Sequence, residues 1–123
     1  MSNPQSPQGY LTTHVLDTAN GCPGEGIPVA LYRLGESREL LVETVTNNDG
    51  RCDQPILNKD DFAIGKYELV FSIADYFKGK GANLPEPAFL DDVVLRFAIA
   101  EIDQHYHVPL LVSPYSYSTY RGS

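Results

Sequence analysis

The chain has 123 residues, 42% of them hydrophobic and 20% charged, a mixture that suits one folded domain and a length too short for two. Its formal net charge is -7, with 9 Lys and Arg against 16 Asp and Glu, which argues against a nucleic-acid partner because a phosphate-binding surface needs clustered cations. No apolar run reaches the length of a membrane span, so no membrane partner is expected.

The first ten residues lack the basic start and hydrophobic middle of a secretory signal, and the terminal Arg-Gly-Ser is not the Ser-Lys-Leu peroxisomal address, so a cytoplasmic protein is expected. Cys22 and Cys52 show no Cys-x-x-Cys spacing and are expected to be free thiols in a reducing compartment.

Residues 1–9 are Pro, Gln, Ser and Asn without periodicity and read as a flexible leader, leaving 10–123 as a single domain. From Tyr10, LTTHVLD reads as a strand with Leu11, Thr13 and Val15 on one face and Thr12, His14 and Leu16 on the other. Residues 18–26 are dense in turn formers, including Asn20-Gly21 and Pro23-Gly24. IPVALYRL (27–34) and LLVETVT (40–46) predict two more strands, and Asn47-Asn48-Asp49-Gly50 is a strong turn signal that places Arg51 directly after a tight bend. A weaker strand falls within 52–57, confined to an edge by Pro55.

GKYELVFSI (65–73) alternates cleanly, with Tyr67, Leu69, Phe71 and Ile73 inward and Glu68, Val70 and Ser72 outward. ADYFKGKG allows a turn or two of helix before Gly79 and Gly81 end it. VVLRFAIA (93–100) is a further strand, and the chain closes on HYHVPLLVSPYSYSTYRGS, two strands broken at Ser113-Pro114 that predict a hairpin. Short strands at about ten-residue spacing with little helix predict an all-β antiparallel sandwich. The last strand carries no Lys, so at a sheet edge it would be unprotected and would favour a symmetric oligomer.

Alternation puts His105 and His107 on one face of their strand, where two imidazoles can serve as a general acid/base pair near neutral pH. His14, mid-strand, is a third candidate. His-x-His is also a metal-ligand spacing with His14 as a possible third ligand, but no Asp, Glu or Cys completes an obvious fourth position, and no metal or cofactor is expected. The serines lack a Gly-x-Ser-x-Gly elbow, the Asp60-Asp61 and Asp91-Asp92 pairs suit solvated turns, and Cys52 suits a small apolar filler. Arg51 and Arg121 offer guanidinium groups able to bind a planar anion through paired hydrogen bonds and to stabilise an oxyanion.

Three blocks, LTTHVLDTANGCPG (Leu11 to Gly24), TNNDGR (Thr46 to Arg51) and HYHVPLLVSPYSYSTYRGS (His105 to Ser123), closely resemble the 5-hydroxyisourate hydrolases, the transthyretin-related enzymes of urate breakdown. The resemblance implies a transthyretin-like sandwich of two four-stranded sheets with one short helix. It implies a homotetramer, a dimer of dimers, with active sites in the cleft between dimers. The implied reaction is hydrolysis of 5-hydroxyisourate to 2-oxo-4-hydroxy-4-carboxy-5-ureidoimidazoline, on the way from urate to allantoin. Position by position, His14, Arg51 and His107 match the family's catalytic residues. Tyr120, Arg121, Gly122 and Ser123, together with His14 and Arg51, match its substrate contacts, while the role of His105 stays open. The alternative is a transthyretin-like carrier of small aromatic ligands without catalysis, for which a cleft lined by His and Arg is too polar.

Overall fold

Period-two alternation of apolar side chains decides which face of each strand is buried, and the computed structural model, which describes residues 8–122, follows it closely. The strands are β1 (Tyr10–Asp17), β2 (Cys22–Pro23), β3 (Pro28–Leu34), β4 (Arg38–Val45), β5 (Leu57–Asn58), β6 (Gly65–Ser72), β7 (Asp92–Ile99), β8 (His105–Val112) and β9 (Tyr117–Thr119), with one short helix, α1 (Ala74–Gly79). They form two sheets: β4-β3-β6-β7, and β2-β1-β8-β9 with β5 pairing the start of β1. The two terminal strands pair as the expected hairpin, Val112 opposite Tyr117.

Among the described residues all strand pairings are antiparallel except one. Strands β1 and β8 run parallel, in continuous register from Tyr10 opposite His105 to Asp17 opposite Val112. No hairpin links them: β7 lies at the edge of the other sheet, and the chain crosses between sheets before β8 begins, so the direction of β8 is set by that crossing.

Leu11, Val15, Leu110 and Val112 of one sheet meet Val29, Leu31, Leu69, Phe71, Val93 and Leu95 of the other in a single core, closed by Phe62 and by Phe77 of α1. Each such side chain contributes roughly 1.5–3 kcal/mol relative to exposure. Helix α1 is tied to the end of β1 by Tyr76, whose hydroxyl donates to Asp17 Oδ2 at 2.7 Å. The same buried carboxylate accepts the backbone N–H groups of Ala19 and Asn20 and so shapes the turn after β1. Burial pushes the Asp17 pKa up, but hydrogen bonds from Asn20, Tyr76 and Ala19 more than offset it, and the net shift is downward.

Glu68 takes the outward place that alternation gives it, but it is not solvated there. It lies on the outer face of β6, yet it is only 6% exposed, because Arg96 Nη2 at 2.8 Å from the adjacent β7 and Arg38 Nε at 3.0 Å, reaching across β3 from β4, close over it. Gly9, counted with the leader, is buried: its N–H donates to Ile102 O at 2.8 Å. Residues 1–7 lie outside the described residues. Cys22 and Cys52 are both free, and among the described residues no helix is long and apolar enough to cross a membrane.

Candidate active site

The parallel register of β1 and β8 builds the centre of the site. It sets Tyr10 opposite His105, Thr12 opposite His107 and His14 opposite Pro109, so these side chains share the outer face of one sheet. Thr12 Oγ1 lies 2.6 Å from His105 Nε2 and 2.8 Å from His107 Nδ1. The Tyr10 ring stacks on His105 with centroids 4.0 Å apart and planes 8° apart.

Arg51 is delivered by the 47–51 bend. Asn47 Oδ1 accepts from the N–H of Asp49 at 2.9 Å and of Arg51 at 3.1 Å, a side-chain substitute for backbone pairing that Asn is well shaped to make. Gly50, at φ +78°, lets the bend approach β1: Val15 N donates to Gly50 O at 2.8 Å, and Arg51 pairs with His14 through an isolated antiparallel bridge. His14 Nε2 donates to the Asp49 carbonyl at 2.9 Å. A carbonyl oxygen only accepts, so His14 carries its proton on Nε2 and keeps Nδ1 as its basic nitrogen. The Arg51 guanidinium is exposed and makes no hydrogen bond or ion pair among the described residues, which leaves it available for an anion.

Tyr10, Thr12, Arg51, Gln54, His105 and His107 line a hollow of about 330 Å³. Burial lowers the pKa of His107 below its ordinary value of 6.5, and the nearby positive groups His105, Arg51 and His14 push it the same way; burial alone lowers that of His105. Both rings are therefore neutral at neutral pH and able to accept a proton. Among the described residues, no group of three His, Cys, Asp or Glu is arranged to hold a metal ion.

The tail returns to this centre. Gly122 N donates to His107 O at 2.7 Å, and the two residues form a second isolated bridge. The β8–β9 register, continued to that bridge, sets Tyr120 opposite Pro109 on the outer face, where it is 60% exposed. Arg121 falls on the opposite face: its guanidinium lies 4.1 Å over the Tyr106 ring, and Nη2 donates to Gln104 Oε1 at 2.8 Å. Within one chain the structure thus brings His14, Arg51, His107 and Gly122 together, leaves Tyr120 at the rim, and turns Arg121 away. Ser123 lies outside the described residues.

Thr12, Tyr10 and Gln54 are members of this hollow that the sequence reading did not single out, and Cys52, expected as filler, also borders it. Strand alternation carried a usable signal for the first two, since they share the β1 face of His14.

Residues 11–122 match the HIUase/Transthyretin family. The 5-hydroxyisourate hydrolase of Pseudomonas aeruginosa is 65% identical over 118 residues, which cover 95% of this chain and 94% of that protein. Among solved structures, the crystal structure of (S)-allantoin synthase superposes with a TM-score of 0.91 at 51% identity over 96% of this chain, but this chain spans only 45% of that one. The 5-hydroxyisourate hydrolase of Klebsiella pneumoniae superposes with a TM-score of 0.78 at 34% identity, covering 94% of this chain and 99% of that one. A sandwich with this strand order, matched along nearly its whole length to such relatives, leaves one assignment: the chain belongs to the HIUase/transthyretin family.

Proposed function

We propose that this protein is a 5-hydroxyisourate hydrolase, acting on the six-membered ring of its substrate without a cofactor and releasing 2-oxo-4-hydroxy-4-carboxy-5-ureidoimidazoline. The observation that carries the reading is the meeting of His14, Arg51 and His107 on one sheet face, fastened by the His14–Arg51 and His107–Gly122 bridges. Ring opening of a cyclic amide needs a base to activate water, a cation for the developing oxyanion and a grip on a flat polar substrate. His107, neutral at working pH, takes a proton from water as the hydroxide oxygen bonds to the carbonyl carbon. Arg51 pairs with the resulting oxyanion. The C–N bond then breaks as the proton taken up by His107 is returned to the leaving nitrogen, which restores the neutral base. His14, held by Asp49, positions the substrate beside Arg51. Tyr120 fixes the ring, with Gly122 and Ser123 completing the contacts, while Arg121, held against Tyr106 and Gln104 on the opposite face, takes no part in them.

The working particle in this reading is a cytoplasmic homotetramer, a dimer of dimers, formed by the single domain spanning 10–123. Two features support it: β9 and β7 are both edge strands with a free side, and Leu16 and Tyr120, 39% and 60% exposed, flank the histidines on the same outer face. A partner pressed on that face would enclose the hollow. The polar lining, with two imidazoles and a guanidinium, disfavours an apolar aromatic cargo. The test is to generate 5-hydroxyisourate with urate oxidase, add the protein and follow ultraviolet decay; decay no faster than the spontaneous rate refutes the proposal.

A further inference from the structure

One hydroxyl serves two imidazoles here. Thr12 Oγ1 lies within 2.6 Å of His105 Nε2 and 2.8 Å of His107 Nδ1, and among the described residues it makes no other hydrogen bond. A threonine hydroxyl has one proton to give and lone pairs to accept with. When its proton goes to one ring and the other ring donates to it, so that the hydroxyl both gives and accepts, the two rings carry the same tautomer. When His107 donates from Nδ1, Thr12 donates to His105 Nε2, and His107 Nε2 is left with a lone pair. In the reverse arrangement His107 Nε2 carries a hydrogen and cannot act as a base.

We propose that Thr12 is a positioning residue that couples His105 to His107 into one base, keeping His107 Nε2 unprotonated and relaying a proton from His107 to His105 when water is activated. The relay balances. Nε2 of His107 gains the proton from water; its Nδ1–H bond breaks as a new Oγ1–H bond forms; the former Oγ1–H bond breaks as the His105 Nε2–H bond forms. Threonine ends as it began, and the positive charge has moved from His107 to His105. The surroundings favour that direction. Arg51 and His14 both disfavour a cation on His107, whereas His105 lies flat on the Tyr10 ring, 4.0 Å away, whose π face attracts a cation. The relay gives His105 a task and rests on the reading of His107 as the base; the linked tautomers do not.

The experiment reads ring nitrogens by ¹⁵N NMR at neutral pH in the parental protein, Thr12→Val and Thr12→Ser, alongside steady-state turnover of 5-hydroxyisourate. The expected parental result is both rings protonated on Nδ1. Thr12→Val should change the tautomer of at least one ring and lower kcat about tenfold to a hundredfold with KM little changed, while Thr12→Ser restores both within about threefold. Opposite tautomers in the parental protein, unchanged rings in Thr12→Val, or parental kcat in Thr12→Val would overturn the proposal. The parental spectrum needs no variant, so it decides the coupling even where Thr12→Val fails to fold. A parental protein with the expected tautomers but no hydrolysis refutes the relay together with the assigned function and leaves only the coupling.

Discussion

Gly122 stands so close to His107 that a Cβ on it would come within 2.8 Å of the imidazole Cδ2 and 3.2 Å of Cβ. The ring has little room to retreat, because its Nδ1 is held by Thr12 and its backbone is paired with β1. Gly122→Ala therefore moves the tail and breaks the Gly122 N to His107 O bond. The expected outcome is a fall in kcat/KM of about tenfold or more with unfolding free energy changed by less than about 1 kcal/mol, since the site of change is at the chain's edge. Kinetics and a urea melt check it; unchanged kinetics would show that the tail's return to His107 has no bearing on turnover.

Gly50 places Arg51 from the other side. At φ +78° it occupies backbone space that L side chains rarely adopt, and a Cβ there would stand 2.4 Å from the backbone oxygen of Val15. That oxygen belongs to a strand and cannot swing away, so the 47–51 bend must lift off β1. Gly50→Ala should lower stability by about 2 kcal/mol or more and reduce activity as well, because the His14–Arg51 bridge is lost with it. A variant that keeps its melting temperature would show that the bend is not pinned to β1.

Much of this geometry was legible in the residues. Alternation in GKYELVFSI correctly buried Tyr67, Leu69 and Phe71, and the same rule put His105 and His107 on one face, which their shared hydroxyl bears out. The parallel pairing of β1 with β8 was not legible, since a strand's sequence carries no mark of its partner's direction when no hairpin joins them. Thr12 is silent in the sequence for that reason: a strand threonine looks like ordinary β-branched filling until its neighbour is known to be His107. Glu68 shows the complementary gap, as its outward face was legible but the two arginines that close over it come from strands far away in the chain.

The histidines set a pH dependence of definite sign. Burial lowers the folded-state pKa of His107 and His105 below 6.5. Above 6.5 both folded and unfolded chains hold these rings neutral, so they contribute nothing there. As pH falls below 6.5 the unfolded chain takes up protons first, and stability declines until the depressed folded pKa is reached. Urea midpoints should thus drop as the pH falls below about 6.5, and His105→Asn with His107→Asn should flatten that slope. By the same shift, the acid limb of kcat/KM should have its midpoint below 6.5 if His107 is the base, and a midpoint above 6.5 would rule His107 out.

Glu68 allows stability to be separated from activity. It lies on the outer face of the β4-β3-β6-β7 sheet, across the core from the hollow, and hydrogen bonds from Arg96 and Arg38 hold its pKa below the ordinary 4.5 despite burial. Such a carboxylate stabilises the fold above its unfolded pKa, and the contribution is lost as pH falls through the depressed folded value. Glu68→Gln removes the charge and leaves two guanidinium groups facing each other. Because Arg38 and Arg96 are 49% and 70% exposed, solvent screens part of the interaction, and the expected loss is about 1–2 kcal/mol at neutral pH rather than the larger loss typical of a fully buried pair. The loss should shrink as the pH falls below the ordinary carboxylate range and through the depressed folded value, below which the parental carboxylate is also protonated. Activity at neutral pH should stay within about twofold of parental, since no residue of the hollow touches this cluster. Equilibrium unfolding at several pH values, read beside turnover, checks both halves; a Glu68→Gln protein with parental stability but impaired turnover would mean that this sheet communicates with the site in a way its contacts do not reveal.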